Sequence, residues 1–143
     1  SFFKDELAVI CAREHPLTKK QELCLQDIAL EPFLLREKGS GTREILDSIM
    51  KVHDIQLHPI WESASTRALV KGVQFGFGIS ILPYQMVKAE LETGIVTRLY
   101  LSDVSFQRDY YIIYHANKHL HAGLQDFITT CRRVCAEIQS KES

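Results

Sequence analysis

Short apolar runs in this chain are repeatedly cut off by proline or by a cluster of small polar residues, and a stretch of helical periodicity follows each one. Leu7-Ala8-Val9-Ile10-Cys11-Ala12 is apolar at every position, as expected for a strand buried on both faces. His15-Pro16 ends it, because proline restricts the preceding residue and brings no amide donor. Pro32-Phe33-Leu34-Leu35 is a second such run, Ile55 to Trp61 a third, and Ile79-Ser80-Ile81-Leu82 a fourth, stopped by Pro83. Between them the apolar positions follow helical spacing. Ile45, Ile49 and Val52 share one face of a predicted helix that ends at about Val52. Leu69, Val70 and Val73 form the stripe of another, running from Ser63 to Gln74 with Ser63 or Ser65 as its cap. Leu25 to Ala29 is a short helical turn, and Tyr84 to Leu91 a short helix stopped by Thr93-Gly94. Strands at Ile95 to Leu101 and Tyr110 to Tyr114 precede a closing helix from Leu120 to about Ile138. This alternation predicts an α/β fold with a mainly parallel sheet.

With 143 residues, 45% of them hydrophobic and 24% charged, the chain can bury one sizeable core. No apolar run approaches the roughly 20 residues that span a bilayer, so no membrane partner is expected. Seventeen basic residues against eighteen acidic give a net charge of -1. That argues against this stretch itself gripping nucleic acid, though not against a neighbouring domain that does. The sequence starts Ser1-Phe2-Phe3-Lys4, without Met and without a secretory pattern, and reads as a piece of a longer protein. Cys11, Cys24, Cys131 and Cys135 are too sparse for a disulfide scaffold, which points to a reducing, cytoplasmic location.

The segment richest in chemistry is Arg36-Glu37-Lys38-Gly39-Ser40-Gly41-Thr42-Arg43, which follows a buried run and opens a helix. The first amides of a helix have no intrahelical acceptor, and the helix dipole adds positive potential there. Glycines let such amides converge, and Ser40 and Thr42 add hydroxyls. An anion is favoured at such a place. Helix capping by Ser or Thr without any ligand is the alternative. The spacing is not that of a phosphate-binding P-loop.

These residues resemble the effector-binding domain of LysR-type transcriptional regulators. The resemblance extends through Leu7 to Leu17 with its His15-Pro16-Leu17 ending and through Leu25-x-Asp27-Ile28-Ala29-x-Glu31-Pro32-Phe33. It continues in Glu62-Ser63, in Val73-x-x-Gly76-x-Gly78-Ile79-Ser80-Ile81-Leu82-Pro83, and at Gly94. It covers the chain to about Val134. It implies a type II periplasmic-binding-protein-like fold: two α/β lobes joined by crossing strands, with an effector cleft between them. Residues 1–10 are then the incoming crossing strand, 11–103 the second lobe, and 104–143 the returning strand and C-terminal helix of an incomplete first lobe. Carried over by position, the effector contacts are Arg36, Glu37, Gly39, Ser40, Gly41 and Thr42 on one loop, flanked by Glu62, Ser63 and Ala64. Both loops follow strand carboxyl ends, where open α/β sheets bind ligands. For Glu62, a solvated residue near a helix start is an equal alternative. DNA binding is implied only through an N-terminal helix-turn-helix domain that these residues do not include.

Other candidates carry less. His115, His119 and His121 lie close together, but no Cys or carboxylate joins them in sequence, so they read as surface histidines and no metal is expected. Cys131 and Cys135 are one turn apart on an apolar helix side, a spacing that suits a disulfide poorly. Cys11 and Cys24 have no neighbour that would activate a thiol. No Gly-x-Ser-x-Gly elbow or paired-carboxylate arrangement is present, so no catalytic residue is assigned and no cofactor is expected. The expected function is that of a sensor. A small anion, most simply a carboxylate, prefers one lobe arrangement and shifts the regulator's assembly. A transporter's solute-binding protein of the same fold is the alternative. The incomplete first lobe would leave Leu124, Phe127, Ile128 and Cys131 as an apolar stripe, so a homodimer, swapped or not, or a higher oligomer is expected, with the helix from Ala64 to Gln74 as a second surface.

Overall fold

The computed structural model describes residues 2–140. Its elements, in chain order, are β1 (Phe3–Cys11), α1 (Leu25–Ala29), β2 (Phe33–Arg36), α2 (Gly41–Val52), β3 (Pro59–Ser63), α3 (Thr66–Gln74), β4 (Ser80–Pro83), α4 (Tyr84–Glu92), β5 (Thr97–Leu99), β6 (Gln107–Tyr110) and α5 (Ala122–Ser140). A 3₁₀ turn, Pro16–Lys19, sits between β1 and α1 with His15 as its cap. The chain divides into two compact units, Glu6–Phe106 and the segments that flank it.

In the larger unit the buried runs sit at the centre, with both faces covered. Along β1, Leu7, Val9 and Cys11 join one cluster with Leu25, Ile28, Leu46, Met50, Ile79 and Ile81. Ala8 and Ile10 face the other way and join Leu34, Leu69, Val73, Leu82 and Val87. The period-two alternation of a strand therefore distributes a continuous apolar run between two cores. α1 and α2 cover one face, α3 and α4 the other. Each Leu, Ile, Val or Met side chain so buried contributes about 1.5–3 kcal/mol relative to exposure.

The sheet is mixed. β2 and β3 are parallel, with Arg36 opposite Ser63. A parallel bridge, Phe33 to Ile79, joins β2 to the start of β4. β1 runs antiparallel to β4 and to β5. The Ser80 hydroxyl donates to the Leu34 carbonyl at 2.6 Å, which satisfies a fully buried polar group.

Three expected elements are displaced. The strand expected over Ile55 to Trp61 lies instead at Pro59–Ser63. The Ile55 amide donates to the Met50 carbonyl at 2.9 Å, and Asp54 has φ 55°, so this stretch completes the end of α2. Ile55 and Leu57 alternate because they pack against the core, not because they pair. The strand expected over Tyr110 to Tyr114 is Gln107–Tyr110. It pairs with β1, whereas Tyr111, Ile113 and Tyr114 are exposed. The strand expected over Ile95 to Leu101 shortens to Thr97–Leu99. Ser65, not Ser63, caps α3.

In the smaller unit the Phe2 amide donates to the Tyr110 carbonyl at 2.9 Å, and Asp5 pairs with Arg108. On α5 Ile128 is buried, while Phe127, Val134 and Ile138 are exposed.

Gly78 holds the sheet together through its lack of a side chain. A Cβ built there would lie 2.2 Å from the Pro32 carbonyl oxygen. That oxygen accepts from the Ile79 amide at 2.9 Å, within the bridge that sets β2 beside β4. Backbone cannot yield as a flexible side chain does. Gly78→Ala is expected to cost about 2–3 kcal/mol, the upper part of the overpacking range, read as a lower urea midpoint.

Candidate functional site

Because β2 and β3 are parallel and pair without a break from Leu34 to Arg36, they end side by side, and each feeds a helix: α2 from Gly41 and α3 from Thr66. Two helix N-termini therefore gather at one end of the sheet. The chain turns from β2 into α2 through Gly39, whose φ of +89° suits glycine, and the Ser40 amide donates to the Glu37 carbonyl at 3.3 Å. Ser40 is the cap: its hydroxyl accepts from the Arg43 amide at 3.2 Å. Ser65 does the same for Ala68, and the Ser63 hydroxyl accepts from the Ser65 amide at 3.1 Å.

Capping and ligand binding thus separate onto different residues. With Ser40 and Arg43 engaged, the amides of Gly41 and Thr42 have no acceptor among the described residues. Gly41 is exposed and has open space where a side chain would be. Thr42 is 7% exposed, and its hydroxyl makes no hydrogen bond among the described residues. These groups can receive an anion without displacing a structural bond.

The charged residues are committed to one another. Arg36 clasps Glu37 through two bonds, Nε to Oε2 at 2.8 Å and Nη2 to Oε1 at 3.0 Å. That contact holds the Glu37 carboxyl below its ordinary range. Arg43 is 5% exposed. Its Nε donates to both Asp47 oxygens, at 2.9 and 3.0 Å, and its Nη1 to Glu62 Oε1 at 2.8 Å and to the Arg36 carbonyl at 3.1 Å. Burial pushes the Arg43 guanidinium toward its neutral form, but Glu62 and Asp47 outweigh that and raise its pKa.

The structure places Arg36 at the end of β2, Glu37, Gly39 and Ser40 on the turn that follows, Gly41 and Thr42 in the first turn of α2, and Glu62, Ser63 and Ala64 at the neighbouring strand end. Glu62 is bound to Arg43 rather than held only by a helix dipole. Arg43 itself escaped the sequence reading as a functional residue. Its spacing of four from Asp47 on a helix was a visible sign of pairing, but its reach to Glu62 was not. Away from this wall, His115 Nδ1 and His121 Nδ1 accept from the amides of Asn117 and Leu124. Burial pushes the Cys11 thiol up to about 12, leaving it protonated.

An α/β unit with covered faces, a mixed sheet and convergent amides at the strand carboxyl ends belongs to the small-ligand-binding class of folds. The LysR substrate-binding domain model matches residues 1–136, and the chain belongs to that family. Over 127 residues it is 32% identical to the HTH-type transcriptional activator CmpR of Synechocystis, covering 89% of this chain and 42% of the relative. Over 132 residues it is 30% identical to the HTH-type transcriptional regulator CbbR of Rhodospirillum rubrum, covering 90% and 44%. The chain thus spans less than half of these curated relatives. Among solved structures, the regulatory domain of Synechocystis CcmR in complex with 2-PG aligns with TM-score 0.83 and 29% identity, covering 94% of this chain and 64% of that one. The effector-binding domain of QuiR in complex with shikimate aligns with TM-score 0.79 and 26% identity, covering 95% and 64%. The fold is that of LysR regulatory domains, the type II periplasmic-binding-like fold, and the relatives are named as transcriptional regulators, not enzymes.

Arg43→Met removes the tie between the two strand ends. Asp47 and Glu62 both keep access to water, so the cost falls below the roughly 3–5 kcal/mol of a fully buried pair, and about 2 kcal/mol is expected by urea unfolding.

Proposed function

We propose that this chain is part of the effector-sensing domain of a bacterial LysR-type transcription regulator, and that a small anion, most simply a carboxylate, binds against the N-terminus of α2. The observation that carries this is the pair of uncommitted amides, Gly41 and Thr42, beside the unpaired Thr42 hydroxyl at the carboxyl end of β2. The complexes of CcmR with 2-PG and of QuiR with shikimate support it, as both are structurally similar regulatory domains with small ligands. In this reading residues 1–10 enter the second lobe, 11–103 form it, and 104–143 return to a first lobe whose remainder lies outside these residues. Arg36 and Glu37 shape the loop, and Ser63 and Ala64 border it. Glu62 acts through Arg43.

The whole regulator binds DNA through an N-terminal helix-turn-helix domain beyond this chain, works in the cytoplasm, and is a homodimer. The exposed Phe127, Val134 and Ile138 on α5 support a further covering surface, from the rest of the first lobe or a second copy. The effector acts by preferring one arrangement of lobes and subunits. The regulator names of the relatives favour this over a transporter's solute-binding protein.

The test uses the complete regulator with 2-PG, shikimate and a panel of small carboxylic acids as probes, followed by thermal shift and calorimetry. At least one is expected to raise the melting temperature. Thr42→Val then weakens that probe about tenfold to a hundredfold, the worth of one hydrogen bond to a charged group. Its melting temperature without ligand stays level, because the cap is Ser40. Ser40→Ala is expected to lose about 1 kcal/mol of stability. Unchanged affinity in Thr42→Val removes Thr42 from the site, and no stabilisation by any small anion sinks the reading.

A further inference from the structure

The wall at the end of β2 continues onto the end of β3. β2 lies between β3, its parallel partner, and the start of β4, which the Phe33–Ile79 bridge sets on its other side. α2 carries the chain from β2 out to β3, and α3 carries it from β3 back past β2 to β4. The connections therefore leave the adjacent ends of β2 and β3 in opposite directions. Leu46 and Met50 of α2 join the core with Leu35, and Leu69 and Val73 of α3 the core with Leu34, so the helices lie on opposite faces. Where connections part in this way a crevice opens at the strand carboxyl ends, and open α/β sheets bind ligands there. Thr42, more than nine-tenths buried with an unpartnered hydroxyl, stands on the α2 side of it.

α3 starts in the same manner as α2. Its cap Ser65 accepts from the Ala68 amide, and the Ser65 amide is itself held by the Ser63 hydroxyl. The amides of Thr66 and Arg67 have no acceptor among the described residues, and the Thr66 hydroxyl makes no hydrogen bond there. The charges of the two helix starts differ. The first turn of α2 holds Glu44, and that of α3 holds no acid. Around α2 one carboxylate is in excess: Arg36 pairs with Glu37, Arg43 pairs with both Asp47 and Glu62, and Lys38 and Glu44 offset each other. Arg67 brings the wall to neutral. It is exposed and makes no ion pair or hydrogen bond among the described residues. Positive potential is thus concentrated at the start of α3, where a free guanidinium and a helix dipole coincide.

We infer that the effector of this wall carries two anionic groups, one on the Gly41 and Thr42 donors and the other on the Thr66 and Arg67 amides and the Arg67 guanidinium. The ligand class is a short dicarboxylic acid, and Arg67 is the residue that selects it over a monocarboxylic acid. The inference rests on the effector reading above and adds the second helix start to it. A single carboxylate answers one set of amides and leaves the other without an acceptor. A guanidinium can also meet a carboxylate through two parallel N–H bonds, which fixes the second group in direction as well as in charge.

The test uses the complete regulator and calorimetry, with succinate, glutarate and adipate as probes beside their monomethyl esters. At least one diacid is expected to bind, at least about tenfold more tightly than its own monoester, because the ester loses the charge-assisted contacts at one helix start. Arg67→Gln should weaken that diacid about threefold to fivefold, the worth of an exposed ion pair. Its melting temperature without ligand should match the parent's, since Arg67 has no partner to lose among the described residues. Thr42→Val acts on the other carboxylate, so the double variant should lose the product of the two single factors. A monoester that binds as well as its diacid overturns the inference, and so does an Arg67→Gln variant that binds the diacid as the parent does. Binding of a monocarboxylic acid while all three diacids fail at millimolar concentration overturns it too, and leaves the effector reading standing. If no small anion binds at all, the effector reading itself fails and takes the inference with it.

Discussion

The guanidinium of Arg43 connects what would otherwise be separate parts of the functional end. It comes from the first turn of α2, reaches the last carbonyl of β2, and grips Glu62 on β3 and Asp47 one turn on. A planar group with donors in fixed directions can serve three acceptors at once, which an ammonium could not do with the same geometry. The desolvation of a buried cation is costly, and here the cost is offset by carboxylates that retain partial contact with water. The two strand ends and the start of α2 are therefore fixed relative to one another. Amides that must face a ligand together need that fixation, because misplacement by a fraction of an ångström weakens a hydrogen bond.

That arrangement has a consequence for recognition. The cations nearest the loop are already neutralised, Arg36 by Glu37 and Arg43 by Asp47 and Glu62. The groups left over are uncharged: two amides and a hydroxyl. Donors of this kind do not titrate and need no reorientation. They meet an anion with a dipole already pointing the right way. The charged side chains build the frame, and the backbone donors beside it stay free. The depressed carboxyl of Glu37 and the raised guanidinium of Arg43 keep their parts of this frame ionised across the neutral range.

Much of this was legible in the chain because it is local. Continuous apolarity from Leu7 to Cys11 reflects burial on both faces, and β1 does divide its side chains between two cores. Gly39-Ser40-Gly41-Thr42 encodes a turn followed by a capped helix, and the helix begins one residue before Thr42. What failed is what depends on distant partners. Ile55 and Leu57 alternate like strand residues, yet helix termination at Asp54 and core packing account for them. Tyr111 to Tyr114 has strong strand propensity and no described partner strand, and propensity without a ladder does not make a strand. The Arg43–Glu62 contact spans nineteen positions, and no local pattern announces such a pair.

An amide wall also sets a limit on what it can distinguish. Two amides and a hydroxyl respond to negative charge and to little else, since any oxyanion presents suitable acceptors. Selectivity among anions must then come from groups that meet the body of the ligand, where an unmatched donor or a filled volume changes the binding energy. In a two-lobed fold those groups lie largely on the facing lobe and on the side chains that rim the cleft. CcmR and QuiR, domains similar to this one, are found with two different ligands, 2-PG and shikimate. On the proposed reading, the ends of β2 and β3 keep one frame, anchored at Arg43, while the surface opposite changes with the ligand to be sensed.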